Sequence, residues 1–347
     1  MKTNTIRFIV WNIDSQEKAK DVAPISSKLA SLLEKDQCNN TDKYFILVLT
    51  ECHQTVADKI IEQVTEHGTL SVFSDDSYPA DGGIQFIYKL PTEWELKPAL
   101  NEKILLSVDE ILTKIKTELT KSGNRYINLA SRIFSTTLTS DDTIINIVNE
   151  FIKLSEGNFD DNELMKKLRF VKLSDRQQNT KALLVGVHFW SKKDLNNHYN
   201  RNKKLIAFIN DYLNSINEDD ANKCILLGDF NMNPYETMLN TNPDVESLAS
   251  HLRTSPNENK ISYNRKDWFY NPCWNLLGDR FSKINHTFSF KKSKEYENLF
   301  NVFDQVLLRK GLFMAFQLPT LKIEDTGDIS DHFPVIFEMK FLTENPV

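Results

Sequence analysis

Short apolar runs rich in β-branched and aromatic residues recur from one end of this chain to the other. They are Ile6–Ile13 (IRFIVWNI), Tyr44–Glu51 (YFILVLTE), Gly83–Lys89 (GIQFIYK), Ala182–Phe189 (ALLVGVHF), Cys224–Phe230 (CILLGDF), Val302–Leu308 (VFDQVLL) and Pro334–Phe341 (PVIFEMKF). Each is too short for a buried helix, and each reads as a buried strand. Segments of helical period stand between some of them. Ile25–Glu34 places Ile25, Leu29, Leu32 and Leu33 on one face, and Asn200–Ile216 does the same with Leu205, Ile206, Phe208, Ile209, Leu213 and Ile216. Strands alternating with helices predict an α/β protein with buried sheets.

A length of 347 residues suits one large domain carrying insertions, or two modest ones. Residues 96–168 differ from the rest. They carry amphipathic helical patterns at Ile104–Leu119 and Ile144–Leu154, and no polar strand end. They are expected to form a helical insertion within a single domain spanning 1–347, either capping a site or packing on the sheet. The formal net charge is −6, which weighs against tight, non-specific grip on nucleic acid. It does not exclude a nuclease, because acidic metal sites add to the negative count. Lys291, Lys292 and Lys294 read as a solvated loop. Cys38, Cys52, Cys224 and Cys273 show no C-x-x-C pairing and no zinc spacing with histidine; Cys224 reads as a small core residue. With no signal-peptide layout and no apolar stretch of bilayer length, the chain is expected to be soluble and cytoplasmic, without a membrane span.

The chemistry lies where the strands end. The first run ends Val10-Trp11-Asn12, the second Leu49-Thr50-Glu51, and another Gly186-Val187-His188. The run from Cys224 passes through Gly228 to Asp229-Phe230-Asn231; with period-two alternation its two polar side chains point the same way. Asp304 interrupts the apolar run VFDQVLL, and Ser330-Asp331-His332 precedes the last strand. Each feature has a plain reading alone. Asn12 suits a turn, Glu51 a helix start, His188 a satisfied core histidine, Asp304 the partner of a buried base, and Asp331 a turn or cap. Buried ionisable groups are costly unless paired. Their repetition at successive strand ends points instead to convergence on one cleft.

In this order, WN (Asn12), TE (Glu51), GVHF (His188), GDFN (Asp229, Asn231), FDQV (Asp304) and SDH (Asp331, His332) resemble the endonuclease/exonuclease/phosphatase superfamily, the deoxyribonuclease I-like metal-dependent phosphodiesterases. The motifs run nearly the length of the chain, apart from the expected insertion. The resemblance implies a four-layer α/β sandwich of two packed mixed sheets flanked by helices. It also implies hydrolysis of phosphate esters helped by Mg²⁺ or Mn²⁺. By resemblance Glu51 is the principal metal ligand, with Asn12 and Asp331 beside the ion. Asp229 positions or deprotonates the attacking water, and Asn231 holds that water or a phosphate oxygen. His332 contacts the phosphate with its ring fixed by Asp304, and His188 is a second imidazole on the phosphate. These roles suit the chemistry: a hard cation prefers oxygen donors, and a cation with an imidazolium screens an anionic diester. Pairing with Asp304 is expected to raise the His332 pKa.

Relatives of this kind often place a Tyr or Arg between the Glu and the first His to hold phosphate. Here Arg169, Arg176 and Tyr126 are the candidates, each with a surface role as the plainer reading. The expected substrate is DNA or RNA, engaged transiently. The alternatives are a small phosphate ester (a nucleotide, inositol phosphate or phospholipid head group) and a non-catalytic binding protein on the same fold.

Overall fold

The first apolar run forms the strand β1, Lys2–Ser15, buried on both faces. Ile6, Phe8 and Val10 point into one apolar cluster, while Ile9, Trp11 and Ile13 point into another. This two-sided burial is why the middle of β1, Phe8–Trp11, is a continuous apolar run with no polar alternation. The structure, a computed structural model, describes residues 2–15, 21–34, 44–64, 70–73, 83–99, 166–191, 198–236, 239, 269–277, 286–288 and 301–343.

The remaining strands are β2 (Tyr44–Cys52), β3 (Ser71–Val72), β4 (Gly83–Lys89), β5 (Trp94–Pro98), β6 (Leu168–Asp175), β7 (Thr180–His188), β8 (Cys224–Asp229), β9 (Asp304–Leu308), β10 (Phe316–Ile323) and β11 (Val335–Thr343). The helices are α1 (Ala23–Glu34), α2 (Gln54–Val64), α3 (His198–Ser215) and the short α4 (Glu218–Asn222). One six-stranded sheet runs β10-β11-β1-β2-β4-β3 and a five-stranded sheet runs β5-β6-β7-β8-β9. Both are mixed: β1 with β2 and β7 with β8 are parallel, and the other pairs are antiparallel. The expected α/β class with two packed mixed sheets is the fold the chain adopts.

The two sheets face each other across a core that joins Phe8, Val48 and Phe86 of the first to Leu184, Leu227 and Val306 of the second. Close approach is needed at Gly186 on β7, where a Cβ would lie 2.7 Å from Ile84 Cγ2 across the interface. The far face of the first sheet is covered by α1 and α2, with Leu29, Leu32, Val56 and Ile60 packed on Trp11 and Leu47. The far face of the second is covered by α3, whose Leu205, Ile209 and Tyr212 meet Phe170, Val185 and Leu226. Packing therefore runs from helices through two sheets to a helix.

Several expected boundaries shift. The Val302–Leu308 strand begins only at Asp304, and the helix expected over Asn200–Ile216 covers His198–Ser215. Leu96–Pro98 and Leu168, placed at the ends of the insertion, lie in β5 and β6, which pair with each other. The rest of that expected insertion, residues 100–165, lies outside the described residues, as do Lys291, Lys292, Lys294 and Cys38. Cys52, Cys224 and Cys273 are buried free thiols. No helix among the described residues is long and apolar enough to cross a membrane.

Candidate active site

Register brings three of the predicted residues into one row. His188 ends β7, Asp229 ends β8 and Asp304 begins β9; His188 lies opposite Asp229, and Asp229 lies opposite Asp304. The first sheet meets this rim with Asn12 near the end of β1 and Glu51 near the end of β2. Ser330-Asp331-His332 arrives from the turn before β11. That turn is sewn to β1: Ser330 Oγ donates to the Asn12 carbonyl at 2.9 Å, Trp11 Nε1 donates to the His332 carbonyl at 2.9 Å, and the His332 N–H donates to Ser330 Oγ at 3.1 Å.

Local backbone chemistry aims each group. Glu51 has φ +52, and the pairing of β2 with both neighbours slips there: Ser15 and Gly83 both pair with Cys52 after the ladders break at Asn12 and Leu49. A bulge re-aims a side chain that regular alternation would send elsewhere. At Gly228 φ is +144, and a Cβ would sit 1.9 Å from the Val187 carbonyl oxygen, so the glycine of GDFN is required by the neighbouring strand. The strand stops at Asp229, and Asn231 adopts φ +49. The alternation expected to align Asp229 with Asn231 is thus absent, and a turn replaces it. Asp229 Oδ1 accepts the Asn231 N–H at 2.7 Å, and Asn231 Nδ2 donates to Asp229 Oδ2 at 3.2 Å and to the Phe189 carbonyl at 2.8 Å.

Asn12 lies between two carboxylates. Its Nδ2 donates to Glu51 Oε1 at 3.1 Å and to Asp229 Oδ2 at 2.9 Å, while its Oδ1 accepts the Asp14 N–H at 3.0 Å. In this geometry Asn12 tethers two carboxylates across the sheets, one of them Glu51, the expected principal ligand. Glu51 Oε1 is also 3.1 Å from His188 Nε2, and His188 Nδ1 is 3.2 Å from Lys167 Nζ. An ammonium only donates, which leaves the Nε2–H of His188 to donate to Glu51.

The second imidazole is buried to the same extent. His332 is 5% exposed and Asp304 fully buried, with Nδ1 of the ring 2.6 Å from Asp304 Oδ2. The Asn12 N–H donates to Asp304 Oδ1 at 3.3 Å. Burial pushes the His332 pKa down, but the facing carboxylates of Asp304 and Asp229 outweigh it and hold the ring above the ordinary imidazole range. Burial raises Asp304, against the lowering effect of the His332 charge. His332 Nε2 stands 3.9 Å from Asp229 Oδ2, too far for a hydrogen bond and aimed across the cleft.

Donor chemistry at this rim fits a divalent cation. Glu51, His188 and Asp229 offer ligand atoms all within 4.8 Å of one another. Asp331, expected beside the ion, is not part of this group; its Oδ1 is buried with no hydrogen-bond partner among the described residues. Two carboxylates sharing one amide donor repel each other, which adds to the demand for positive charge. The trio differs from the expected one, since it takes His188 and Asp229 with Glu51.

None of the candidate phosphate holders reaches this cleft among the described residues. Arg169 is buried and structural: Nη1 donates to the Ile84 carbonyl at 2.7 Å and to Gln85 Oε1 at 2.8 Å, and Nη2 to the Phe73 carbonyl at 2.8 Å. Arg176 is exposed just past the end of β6, whereas the opposite end of that strand pairs near His188. Tyr126 lies outside the described residues. Sequence reasoning missed Lys167, which lay hidden within the expected insertion. It also missed Thr287, whose Oγ1 accepts the N–H groups of Phe303 and Asp304 at 2.8 and 2.9 Å. No strand-end pattern marks either residue.

No family model and no curated protein matches the chain. Solved structures similar to it include a truncated TDP2 of Caenorhabditis elegans at 12% identity and a TM-score of 0.49, covering 96% of this chain and 97% of that one. An AP endonuclease of Archaeoglobus fulgidus is similar at 11% identity and a TM-score of 0.47, covering 96% and 98%. A 3′ phosphatase from Neisseria, bound to product DNA hairpin, is similar at 13% identity and a TM-score of 0.40, covering 96% and 98%. These structures have the endonuclease/exonuclease/phosphatase fold.

Proposed function

We propose that the chain is a divalent-metal-dependent phosphodiesterase, and a nuclease acting on DNA or RNA. The observation that carries this reading is the shared rim. Glu51 and Asp229 are tethered by one Asn12 amide, and the buried His332–Asp304 pair faces Asp229. In this reading Asp229 receives the proton of the attacking water, its carboxylate oriented by Asn12 and by the Asn231 backbone and side chain. His332 donates from Nε2 to a phosphate oxygen as charge builds there, while Asp304 holds the proton at Nδ1. His188 presents its Nε2–H beside Glu51 as a second donor to the phosphate. Glu51, with Asp331 and a share of Asp229, would hold Mg²⁺ or Mn²⁺, which would supply Lewis-acid stabilisation of the phosphate.

A polyanionic substrate is favoured by the surroundings of His188. Lys167 Nζ and the Arg201 guanidinium each lie 5.6 Å from the ring centroid of Trp190, two residues beyond His188. Two cations gathered there add positive charge beside the rim, which suits a polyanion.

The test is a substrate panel with Mn²⁺ or Mg²⁺: single- and double-stranded DNA, RNA, cyclic and linear nucleotides, and bis-p-nitrophenyl phosphate. Nucleic acids are expected to be cleaved, and Glu51→Ala and His332→Ala are each expected to lower kcat by about 10²–10³-fold or more with the fold intact. Undiminished hydrolysis in both variants would sink the site assignment. Hydrolysis confined to small esters would replace the nuclease reading with the small-substrate one.

A further inference from the structure

The pair at the centre of the proposed mechanism is covered by an aromatic side chain that the strand-end motifs do not include. Phe288 is 7% exposed. Its ring centroid lies 4.7 Å from that of His332, inclined by 60°, and 5.2 Å from that of Phe303 in a stacked arrangement. The backbone of Phe288 forms isolated antiparallel bridges with both Asn301 and His332. The preceding residue anchors it from two sides: Thr287 Oγ1 accepts the N–H of Asp304, and the Thr287 carbonyl accepts the Phe333 N–H at 2.7 Å. One short segment therefore touches both members of the His332–Asp304 pair, through a ring on the imidazole and a hydroxyl on the aspartate backbone.

We propose that Phe288 is a positioning residue for His332. Its ring fixes the plane of the imidazole and excludes water from the Nδ1–Asp304 contact, so that Nε2 stays aimed across the cleft at Asp229. The physical need is plain. A ring held at Nδ1 by one hydrogen bond can still swing about that bond, and only packing on its face removes the freedom. Water reaching Asp304 would compete for the Nδ1 proton and weaken the contact. Phe288 meets both needs without touching the phosphate. The kinetic part of this inference rests on the phosphodiesterase reading; the structural part does not.

The experiment pairs proton NMR of the metal-free protein with steady-state kinetics on bis-p-nitrophenyl phosphate. A proton in a buried, charge-assisted contact of 2.6 Å exchanges slowly and resonates far downfield. The wild type is expected to show this resonance, and its loss in His332→Gln assigns it. Phe288→Ala is expected to lose the resonance to exchange with water while remaining folded, and to lower kcat by about 10²-fold, the scale of a misplaced catalytic group. KM is expected to stay nearly constant, because the role assigned to Phe288 runs through His332. Phe288→Leu, which keeps an apolar cover but no flat face, is expected to retain the resonance and recover part of kcat. If Phe288→Ala does not fold, Phe288→Leu and Phe288→Met decide, with a broadened resonance and reduced kcat expected in at least the more flexible Met variant. A wild-type resonance with unchanged kcat in every folded variant overturns the proposal, as does absence of the resonance from the wild type. If the wild type hydrolyses no ester, the phosphodiesterase reading fails, and the resonance in the variants still decides whether Phe288 holds His332.

Discussion

Gly228 and His332 show how single residues govern this rim. At Gly228 an added methyl would meet the Val187 carbonyl oxygen at 1.9 Å, with φ at +144. Backbone on both strands must therefore shift, directly before Asp229. Gly228→Ala is expected to cost more than about 2 kcal/mol in chemical denaturation, by strain and overpacking together. It is also expected to lower kcat in the fraction that folds; a variant as stable as the wild type would show the glycine to be dispensable. His332 makes a prediction in pH. Its folded pKa is raised, to about 10, by carboxylates that outweigh the lowering effect of burial. Its stabilising contribution is thus complete below the unfolded value of about 6.5 and is lost as pH rises through the folded one. Between those limits the native state holds a proton that the unfolded chain releases, so metal-free stability should fall with rising pH. His332→Gln should remove that part of the slope; identical slopes in variant and wild type would contradict the assignment.

At the scale of elements, what was legible in the sequence followed burial on two faces. β1, β2, β4, β7, β8, β9 and β11 carry apolar runs because apolar neighbours lie on both sides of their sheets. β6 and β10 were missed for opposite reasons. β10 is an edge strand with exposed residues and Pro319, so it has little apolar signature. β6 is almost wholly buried yet contains Arg169, whose charge breaks the apolar run although its guanidinium is bonded to two carbonyls and an amide. For the site, the ionisable strand ends were legible because burying them otherwise costs too much. The bulge at Glu51, the turn at Asn231 and the contacts of Lys167 and Phe288 depend on register and loop closure, which composition does not encode. Arg169 permits a direct test of its element-level role. Arg169→Met leaves three acceptors on β4 and its neighbour without their donor, and is expected to cost about 3 kcal/mol. Activity per folded molecule should stay near that of the wild type, because the guanidinium bonds to Ile84, Gln85 and Phe73 rather than to the residues proposed to act on substrate. A selective loss of kcat or a large rise in KM at unchanged stability would return Arg169 to the list of substrate contacts.

The whole molecule is two sheets whose facing surfaces are largely apolar, bridged inside by Arg169 of β6 bonded to Ile84 and Gln85 of β4, and at one rim by polar groups from both. Asn12 and Glu51 come from the six-stranded sheet, and His188, Asp229 and Asp304 from the five-stranded one. A cation held by Glu51 together with Asp229 would link the two sheets and relieve repulsion between carboxylates in a chain of net charge −6. Ligand that binds only the native state stabilises it by mass action, about 2.7 kcal/mol at a hundred times Kd. For a protein larger than a typical small domain, each kcal/mol raises Tm by about 2–4 °C or somewhat less. Saturating Mn²⁺ is therefore expected to raise Tm by several degrees over the chelated protein in calorimetry. Glu51→Ala should abolish most of that rise, because it removes the first sheet's carboxylate from the donor set. Amide exchange should slow on metal addition at the ends of β2 and β8, and much less around Asp175, at the end of β6 opposite the rim. A Tm indifferent to metal in the wild type would disprove the cross-link, and an equal rise in Glu51→Ala would place the ion elsewhere. The site's position makes the expectation specific: the same ion that supports hydrolysis would also clamp the two sheets where their polar ends meet.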